Sequence, residues 1–407
     1  MSNWNNAYID AFFAEQESYK LSPTDISTRW IDQKCTPDVI SIIADCILQY
    51  VQSPEGTIVF SSSDIWKSDY ALEYVPQIFK KPDLNNLSSA HEYDKFFSQP
   101  LLLLAFSGVL KLEKRGKRNF YRVVDKGILE IISLGERQSL QFLKRYIEKF
   151  LTDVGIIDVF NGFLQEQTQE SYMKMKTVFT NFLLENSKIR NKWECYRIFT
   201  KVINPLAYSA NKCGSEAGRI SRHKITYDML MYNRFNFRDT YSDKPKELTR
   251  KEHSAENYLK QKEAYIIYAT KRAMDYVRKT NILINHGKSE NRFGNDPEDA
   301  IHIHHIFKKS EFPEISSFIE NLIAITPNEH MIYAHPNGNT HLIDPIFQKQ
   351  LLLSKAETIK SSIEDGWGEY TFSNFVYVLS TGFRNNNIFK NVANNDFNEL
   401  ILIINSF

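Results

Sequence analysis

The chain has 407 residues, of which 42% are hydrophobic, and this length allows more than one hydrophobic core. Lysine and arginine total 50 against 49 aspartates and glutamates, so any nucleic-acid-binding role must depend on a local basic face and not on overall charge. The four cysteines are scattered, which argues against a disulfide framework. The chain has no signal-like start, and its densest apolar run, residues 101–106, is too short to span a membrane. These features predict a cytoplasmic protein with no membrane segment.

Predicted helices and strands follow one another in a definite order through residues 1–138. Apolar residues recur at helical spacing over 37–51, residues 57–60 favour a strand, and a second helix begins with Ser63 as its N-cap. A third helix covers 91–110, and its part within 91–99 would face the major groove. Residues 111–124 then alternate around Gly116, which predicts a β-hairpin. This order of elements is typical of a winged helix, so residues 1–138 are predicted to form a winged-helix-like DNA-binding domain with an N-terminal arm.

The tip of this predicted hairpin is strongly basic. It carries Lys114, Arg115, Lys117 and Arg118, with Arg122 on the returning strand. Four like charges around one turn repel each other, and DNA phosphates would offset that repulsion. The alternative is an ordinary solvated turn. Because the charges lie where a wing would meet the DNA backbone, we expect these four residues to bind DNA.

The remaining chain divides into a helical connector, residues 139–206, and a C-terminal domain, residues 207–407. Within 214–239, glycines that indicate flexibility are followed by Arg219, Arg222, Asn233 and Arg234, whose side chains match the donors that read guanine and adenine edges. An ordinary loop with its aromatic residues in the core is an equal alternative. Helices are also predicted over 258–278 and 347–363.

Histidines are concentrated in residues 301–335. The alternation through His302 and His304 predicts a half-buried strand, and residues 321–326 predict its antiparallel partner. Thr326 before Pro327 is typical of a helix N-cap, and the helix would carry His330 back over the strands. Imidazole can both hold a divalent metal and accept a proton near neutral pH, so chemistry is expected here.

This region resembles the HNH nuclease motif, in which two strands and a helix present a histidine pair, an asparagine and a further histidine. The resemblance makes His305 the general base and Asn321 the residue whose amide fixes the hairpin and the base imidazole. His304 and His330 match the metal-ligand positions. The resemblance thus makes residues 207–407 the catalytic and DNA-contacting domain.

Two further histidines are left open by the resemblance. The family often places a second helical histidine four residues after the first, but here that position is Ala334 and the histidine is His335. His302 shares a strand face with His304 and could complete the metal shell or contact phosphate. No cysteine lies near these histidines or in a Cys-x-x-Cys pair, so a closed structural zinc site is disfavoured.

The sequence thus predicts a mostly helical α+β chain that combines a winged-helix-like domain with an HNH domain, and it resembles the HNH-class type II restriction endonucleases. That resemblance implies double-stranded DNA as substrate, Mg²⁺ as the first choice of metal with Mn²⁺, Ni²⁺ or Zn²⁺ as alternatives, and a homodimer. It also implies a bacterial or archaeal host with a cognate DNA methyltransferase that forms no stable complex with the enzyme. The alternatives are another HNH nuclease, homing or modification-dependent, and a non-catalytic winged-helix regulator with a structural metal.

Overall fold

The computed structural model describes residues 2–23, 29–51, 58–79, 90–232, 250–294, 297–335, 343–366, 370–389 and 392–407. Over these residues the chain is mostly helical with small antiparallel sheets, which confirms the α+β class. None of the described helices combines the length and the apolar character that crossing a bilayer requires.

The described α-helices are α1 (Ser2–Glu15), α2 (Pro37–Tyr50), α3 (Ser62–Trp66), α4 (Asp69–Phe79), α5 (Ala90–Phe106), α6 (Lys126–Ser133), α7 (Glu136–Asp153), α8 (Ile157–Glu166), α9 (Gln169–Asn186), α10 (Lys192–Ser209), α11 (Tyr227–Leu230), α12 (Arg250–Asn285), α13 (Pro345–Asp365), α14 (Phe372–Gly382), α15 (Asn386–Phe389) and α16 (Phe397–Ser406). The described strands are β1 (Phe60–Ser61), β2 (Leu110–Arg115), β3 (Arg118–Val123), β4 (Cys213–Glu216), β5 (Arg219–Lys224), β6 (His302–His305) and β7 (Leu322–Ile325). A π-helical turn covers Glu329–Ala334.

The chain separates into two compact units. The N-terminal unit is Tyr8–Gln261, and the C-terminal unit is Lys262–Phe407 together with Met1–Ala7. Both domain boundaries expected from the sequence, at 138/139 and 206/207, lie within the N-terminal unit, and this division into three domains stays a prediction.

In the N-terminal unit, the hairpin expected from the sequence forms one antiparallel sheet with a short strand, in the order β1-β3-β2. That strand begins only at Phe60, the last residue of the expected strand 57–60, and Thr57 lies outside the described residues. Gly116, with φ +61°, occupies the tip between β2 and β3, where the left-handed backbone favours glycine. The helix expected to begin at Ser63 is instead capped by Ser61, whose side chain and backbone exchange hydrogen bonds with Asp64 in a capping box. The cap lies two residues earlier because Asp64, at the third helical position, completes this exchange with Ser61.

Aromatic side chains fill the core of this unit. Trp30 is 1% exposed and stacks on Phe150 with ring centroids 3.6 Å apart, and its carbonyl accepts a hydrogen bond from the Tyr146 hydroxyl at 2.7 Å. Such stacked pairs contribute beyond their buried area. The residues expected to form a helical connector are helices α7 to α10, and their buried faces belong to the same unit.

The β4–β5 hairpin stands where the sequence suggested glycine flexibility. Gly214 is buried, and a Cβ on it would come within 2.5 Å of Asn204 Oδ1, so its small size permits close packing on α10. Asn204 and Ser215 exchange two hydrogen bonds of 2.7 and 3.0 Å. This part of residues 214–239 is therefore an anchored hairpin rather than a flexible loop.

In the C-terminal unit, β6 and β7 form the antiparallel pair expected from the sequence, with His302 opposite Ile325 and His305 opposite Leu322. A buried ion pair ties this hairpin to α13. The Lys355 ammonium donates to Glu290 Oε2 and to the Tyr370 hydroxyl, both at 3.0 Å, and Glu290 Oε1 accepts from the Ala324 amide at 2.9 Å. Each buried charge is thus paired and hydrogen-bonded, as burial requires.

Candidate active site

Strand β6 presents three histidines in alternating directions. His302 and His304 share one face, as strand geometry requires, and the rings of both contact His330. His304 is 4% exposed, whereas the neighbouring His305 is half-buried and points away from them. As the next residue along the strand, His305 therefore lies on the opposite face of β6 from His304.

The segment after β7 turns back over the hairpin as expected. Thr326 Oγ1 accepts from the Glu329 amide at 3.1 Å, and a Glu329 carboxylate oxygen accepts from the Thr326 amide at 3.0 Å. This reciprocal capping box confirms Thr326 as a cap. The turn that follows is π-helical, with residues five apart on one face. His335 therefore lies on the same side as His330, although their spacing differs from the family pattern.

His304, His330 and His335 converge on one point. Their centroids are 4.9 to 5.3 Å apart, and one ring nitrogen from each lies within 4.8 Å of the others. His302 does not belong to this set, because it stacks parallel on His330 with centroids 4.7 Å apart. We call His304, His330 and His335 the histidine cluster.

Two nitrogens of the histidine cluster suit a metal ion. His304 Nε2 and His330 Nδ1 are buried and have no hydrogen-bond partner among the described residues. Burial, reinforced by the neighbouring imidazoles, lowers the pKa of His304 to about 3 and that of His330 to about 4. Both rings are therefore neutral at neutral pH, with lone pairs available for coordination. A divalent cation fits these residues.

His305 has a separate environment. Its Nε2 lies 3.1 Å from the Ser316 carbonyl oxygen, and because a carbonyl only accepts, Nε2 carries the proton and donates it. The tautomer is thereby fixed, and Nδ1 keeps its lone pair. Burial lowers the pKa of His305, and the charge of Lys309 lowers it further, while the bond to Ser316 opposes both. The ring is thus an unprotonated base near neutral pH.

Asn321 fixes the loop between the two strands. This fully buried amide accepts from the Phe307 amide at 2.8 Å and donates to the carbonyls of Phe307 and Ile315 at 3.0 and 3.3 Å. It makes no hydrogen bond to His305. The expectation that Asn321 holds the imidazole directly is wrong in this detail: Asn321 holds Ile315, and the adjacent Ser316 holds the ring.

A cavity of about 680 Å³ opens over the histidine cluster and His305. Lys308 and Lys309 line it, together with Glu263 from α12. Lys308 is paired with Glu311 at 2.7 Å, but Lys309 is exposed and has no ion-pair partner among the described residues. Sequence reasoning missed Lys309, because an exposed lysine four residues after a histidine is not a distinctive pattern.

The residues expected to bind DNA lie in the N-terminal unit. Lys114, Arg115, Lys117 and Arg118 are all exposed at the β2–β3 tip, where Arg115 also contacts Glu113 at 3.3 Å and lies over Phe120. Arg219 and Arg222 are exposed on β5. Asn233 and Arg234 lie outside the described residues.

No protein-family model, curated protein or solved structure matches the chain significantly. The features from which a function can be inferred are therefore the histidine cluster, the imidazole of His305 and the exposed ammonium of Lys309.

Proposed function

We propose that the chain is a metal-dependent HNH-class endonuclease that hydrolyses double-stranded DNA, with a type II restriction enzyme as its specific role. This proposal depends on one observation: three histidines are placed to bind a metal, and a fourth is placed to act as a base. His304, His330 and His335 bring one ring nitrogen each to one point, and burial keeps His304 and His330 neutral, whereas His305 has a tautomer fixed by Ser316 and lines the same cavity. Phosphodiester hydrolysis needs these two functions side by side.

The chain's own residues would act as follows. His305 Nδ1 takes a proton from the attacking water, while Ser316 stabilises the charged ring through Nε2. Asn321 keeps this loop in place through its hydrogen bonds to Phe307 and Ile315. Lys309 contacts a non-bridging oxygen of the scissile phosphate, because it is the exposed cation lining the cavity that lacks an acidic partner in the described structure.

A divalent ion held by His304, His330 and His335 would supply positive charge against the phosphate and the departing oxygen. The donor set is entirely imidazole among the described residues. Imidazole suits Mn²⁺, Ni²⁺ and Zn²⁺, whereas Mg²⁺ prefers oxygen ligands. We therefore expect these ions to support activity better than Mg²⁺, the first choice from the sequence.

Substrate binding would come from the N-terminal unit. The β1-β3-β2 sheet with its basic tip has the strand order of a winged helix, and its exposed cations suit DNA phosphates. Arg219 and Arg222 on β5 are the exposed candidates for reading bases. A chain with one such site that cuts both strands of a palindrome would act as a homodimer, and a cognate methyltransferase would protect the host DNA.

The test is incubation of the purified protein with mixed plasmid DNA and each of Mg²⁺, Mn²⁺, Ni²⁺ and Zn²⁺, with EDTA as control. Discrete fragments support a site-specific endonuclease, and a smear supports an unspecific one. DNA that stays intact with every metal favours the alternative, a non-catalytic regulator with a structural metal. Cleavage in EDTA contradicts the metal requirement.

A further inference from the structure

The loop that follows α12 is anchored by its own polar groups at almost every residue. Ser289 Oγ donates to Glu329 Oε2 at 2.5 Å, and the Asn291 amide group donates to Glu329 Oε1 at 2.8 Å. The Glu290 amide donates to the Ala324 carbonyl at 2.9 Å, beside the outer edge of β7. We call residues 289–294 the anchored loop.

Further contacts fix the second half of the anchored loop. The Arg292 amide donates to Ser354 Oγ at 3.0 Å, and the Phe293 amide donates to Asn291 Oδ1 at 3.1 Å. A Cβ on Gly294 would come within 2.7 Å of Glu329 Oε1, so glycine permits the close approach of the backbone there. The backbone is therefore held at each step while two large side chains point outward.

Those two side chains are Arg292 and Phe293. Arg292 is exposed and its guanidinium has no partner among the described residues, and Phe293 is 58% exposed. An exposed aromatic ring on its own is unremarkable on a protein surface. A ring and a guanidinium on adjacent residues of a backbone with this many anchors are partly preorganised, because binding has to order the two side chains but not the loop that carries them.

The anchored loop is linked directly to the histidine cluster. Glu329, which holds Ser289 and Asn291, immediately precedes His330 in the chain. The path from Phe293 through Asn291 and its hydrogen bond to Glu329, and then to His330, is at most about 25 Å long. This separation is shorter than one turn of a DNA duplex, which is about 34 Å long.

We infer that Arg292 and Phe293 bind the DNA substrate beside the cut site, Arg292 through a backbone phosphate and Phe293 by inserting against a base step. This inference rests on the proposed nuclease function. Guanidinium groups suit phosphates, and apolar side chains next to them are used to unstack base steps. A second copy of the chain is the weaker alternative, because two side chains offer much less than the roughly 800 Å² per partner of a stable interface.

The experiment uses a duplex that contains the cut site mapped in the plasmid digest, with the fluorescent base 2-aminopurine placed in turn at each nearby position. The protein carries His305→Ala so that the duplex stays intact. We expect fluorescence to rise at one step, and Phe293→Ala to abolish that rise while Phe293→Trp keeps it. Ile346→Ala, at an apolar position that is 73% exposed in the same unit, is the matched control and should change nothing.

Affinity gives a second readout. Removing the stacking of one base on the aromatic ring should weaken binding roughly 5- to 150-fold for Phe293→Ala. Arg292→Ala should lower the slope of log affinity against log salt by about one unit. The inference is overturned if the fluorescence of the duplex never rises, or if it still rises with the Phe293→Ala variant. It is also overturned if the only effect of Phe293→Ala is to turn a dimer into a monomer in sedimentation.

Failure of this inference is distinguishable from failure of the nuclease proposal. A wild-type protein that cuts plasmid DNA while Phe293→Ala binds and unstacks DNA equally well overturns only the role of the anchored loop. A wild-type protein that cuts no DNA with any metal overturns both. Because Phe293 is exposed, thermal unfolding of the variants should match that of the wild type, which checks that the fold is intact.

Discussion

His330 and His335 are five residues apart, yet their rings lie 4.9 Å apart because the turn between them is π-helical. In an α-helix the fifth residue would be rotated by about 140° around the axis. The wider π turn returns His335 to the side of His330. The sequence spacing that put His335 in doubt as a ligand is thus compensated by the backbone.

A histidine at position 334, four residues after His330 as in the HNH motif, should therefore not replace His335 in binding a metal. The double variant Ala334→His, His335→Ala should bind Zn²⁺ or Mn²⁺ no better than His335→Ala alone, because Ala334 is fully buried and an imidazole there would overpack the core. His335→Ala itself should lose more than about tenfold in affinity, since even outer-shell partners are worth that much. Titration calorimetry measures both, and full affinity in the double variant would contradict the role of the π turn.

His302 should orient His330 by stacking and should not bind the metal itself. His302→Phe keeps a flat ring against His330 and should keep metal affinity, whereas His302→Ala should weaken it by less than His304→Ala does. The same calorimetry separates the two roles. A phenylalanine variant that loses as much affinity as His304→Ala would make His302 a ligand.

Lys309 and Lys308 are adjacent lysines with different partners, which makes them a matched pair. Lys309→Ala should slow single-turnover cleavage roughly 10- to 100-fold, because an exposed cation stabilises the transition state less than a buried hydrogen-bond donor does. Lys309→Arg keeps the positive charge and should restore most of the rate. Lys308→Ala should have a small effect, because its charge is already engaged by Glu311. Equal rates for Lys308→Ala and Lys309→Ala would remove Lys309 from this role.

The basic tip of the β2–β3 hairpin should contribute affinity without sequence preference. Neutralising Lys114, Arg115, Lys117 and Arg118 should lower the salt slope of DNA binding by about one unit for each phosphate that the protein no longer neutralises. Arg115 should contribute least, since Glu113 already engages it. Cleavage positions should stay the same. If the salt slope of DNA binding equals that of the wild type, the tip does not bind DNA phosphates and is an ordinary solvated turn.

Local patterns predicted much of the candidate site. Alternation predicted β6 and β7 to within about one residue at each end, and Thr326 before Pro327 marked the start of the returning turn. These features depend on neighbouring residues, which a sequence displays directly. Hydrophobic periodicity, in contrast, does not distinguish one π-helical turn from one α-helical turn. The position of His335 therefore could not be predicted from the sequence.

Long-range polar contacts were beyond the sequence for a different reason. Lys355 and Glu290 are 65 residues apart, and nothing in either segment identifies the other as its partner. The same holds for Glu329, whose hydrogen bonds to Ser289 and Asn291 anchor a loop that the sequence did not single out. Such pairs emerge only when the fold brings separate segments together.

The proposed role of His305, a base acting on water beside the histidine cluster, is tested most directly by comparing cleavage with binding in His305→Ala. The single-turnover rate should fall by roughly 10² to 10⁴, the usual cost of losing a general base, while DNA and metal affinity stay at wild-type values. His286→Asn, at an exposed histidine of the same unit, should behave as wild type. A His305→Ala protein that cuts DNA at the wild-type rate would contradict the account.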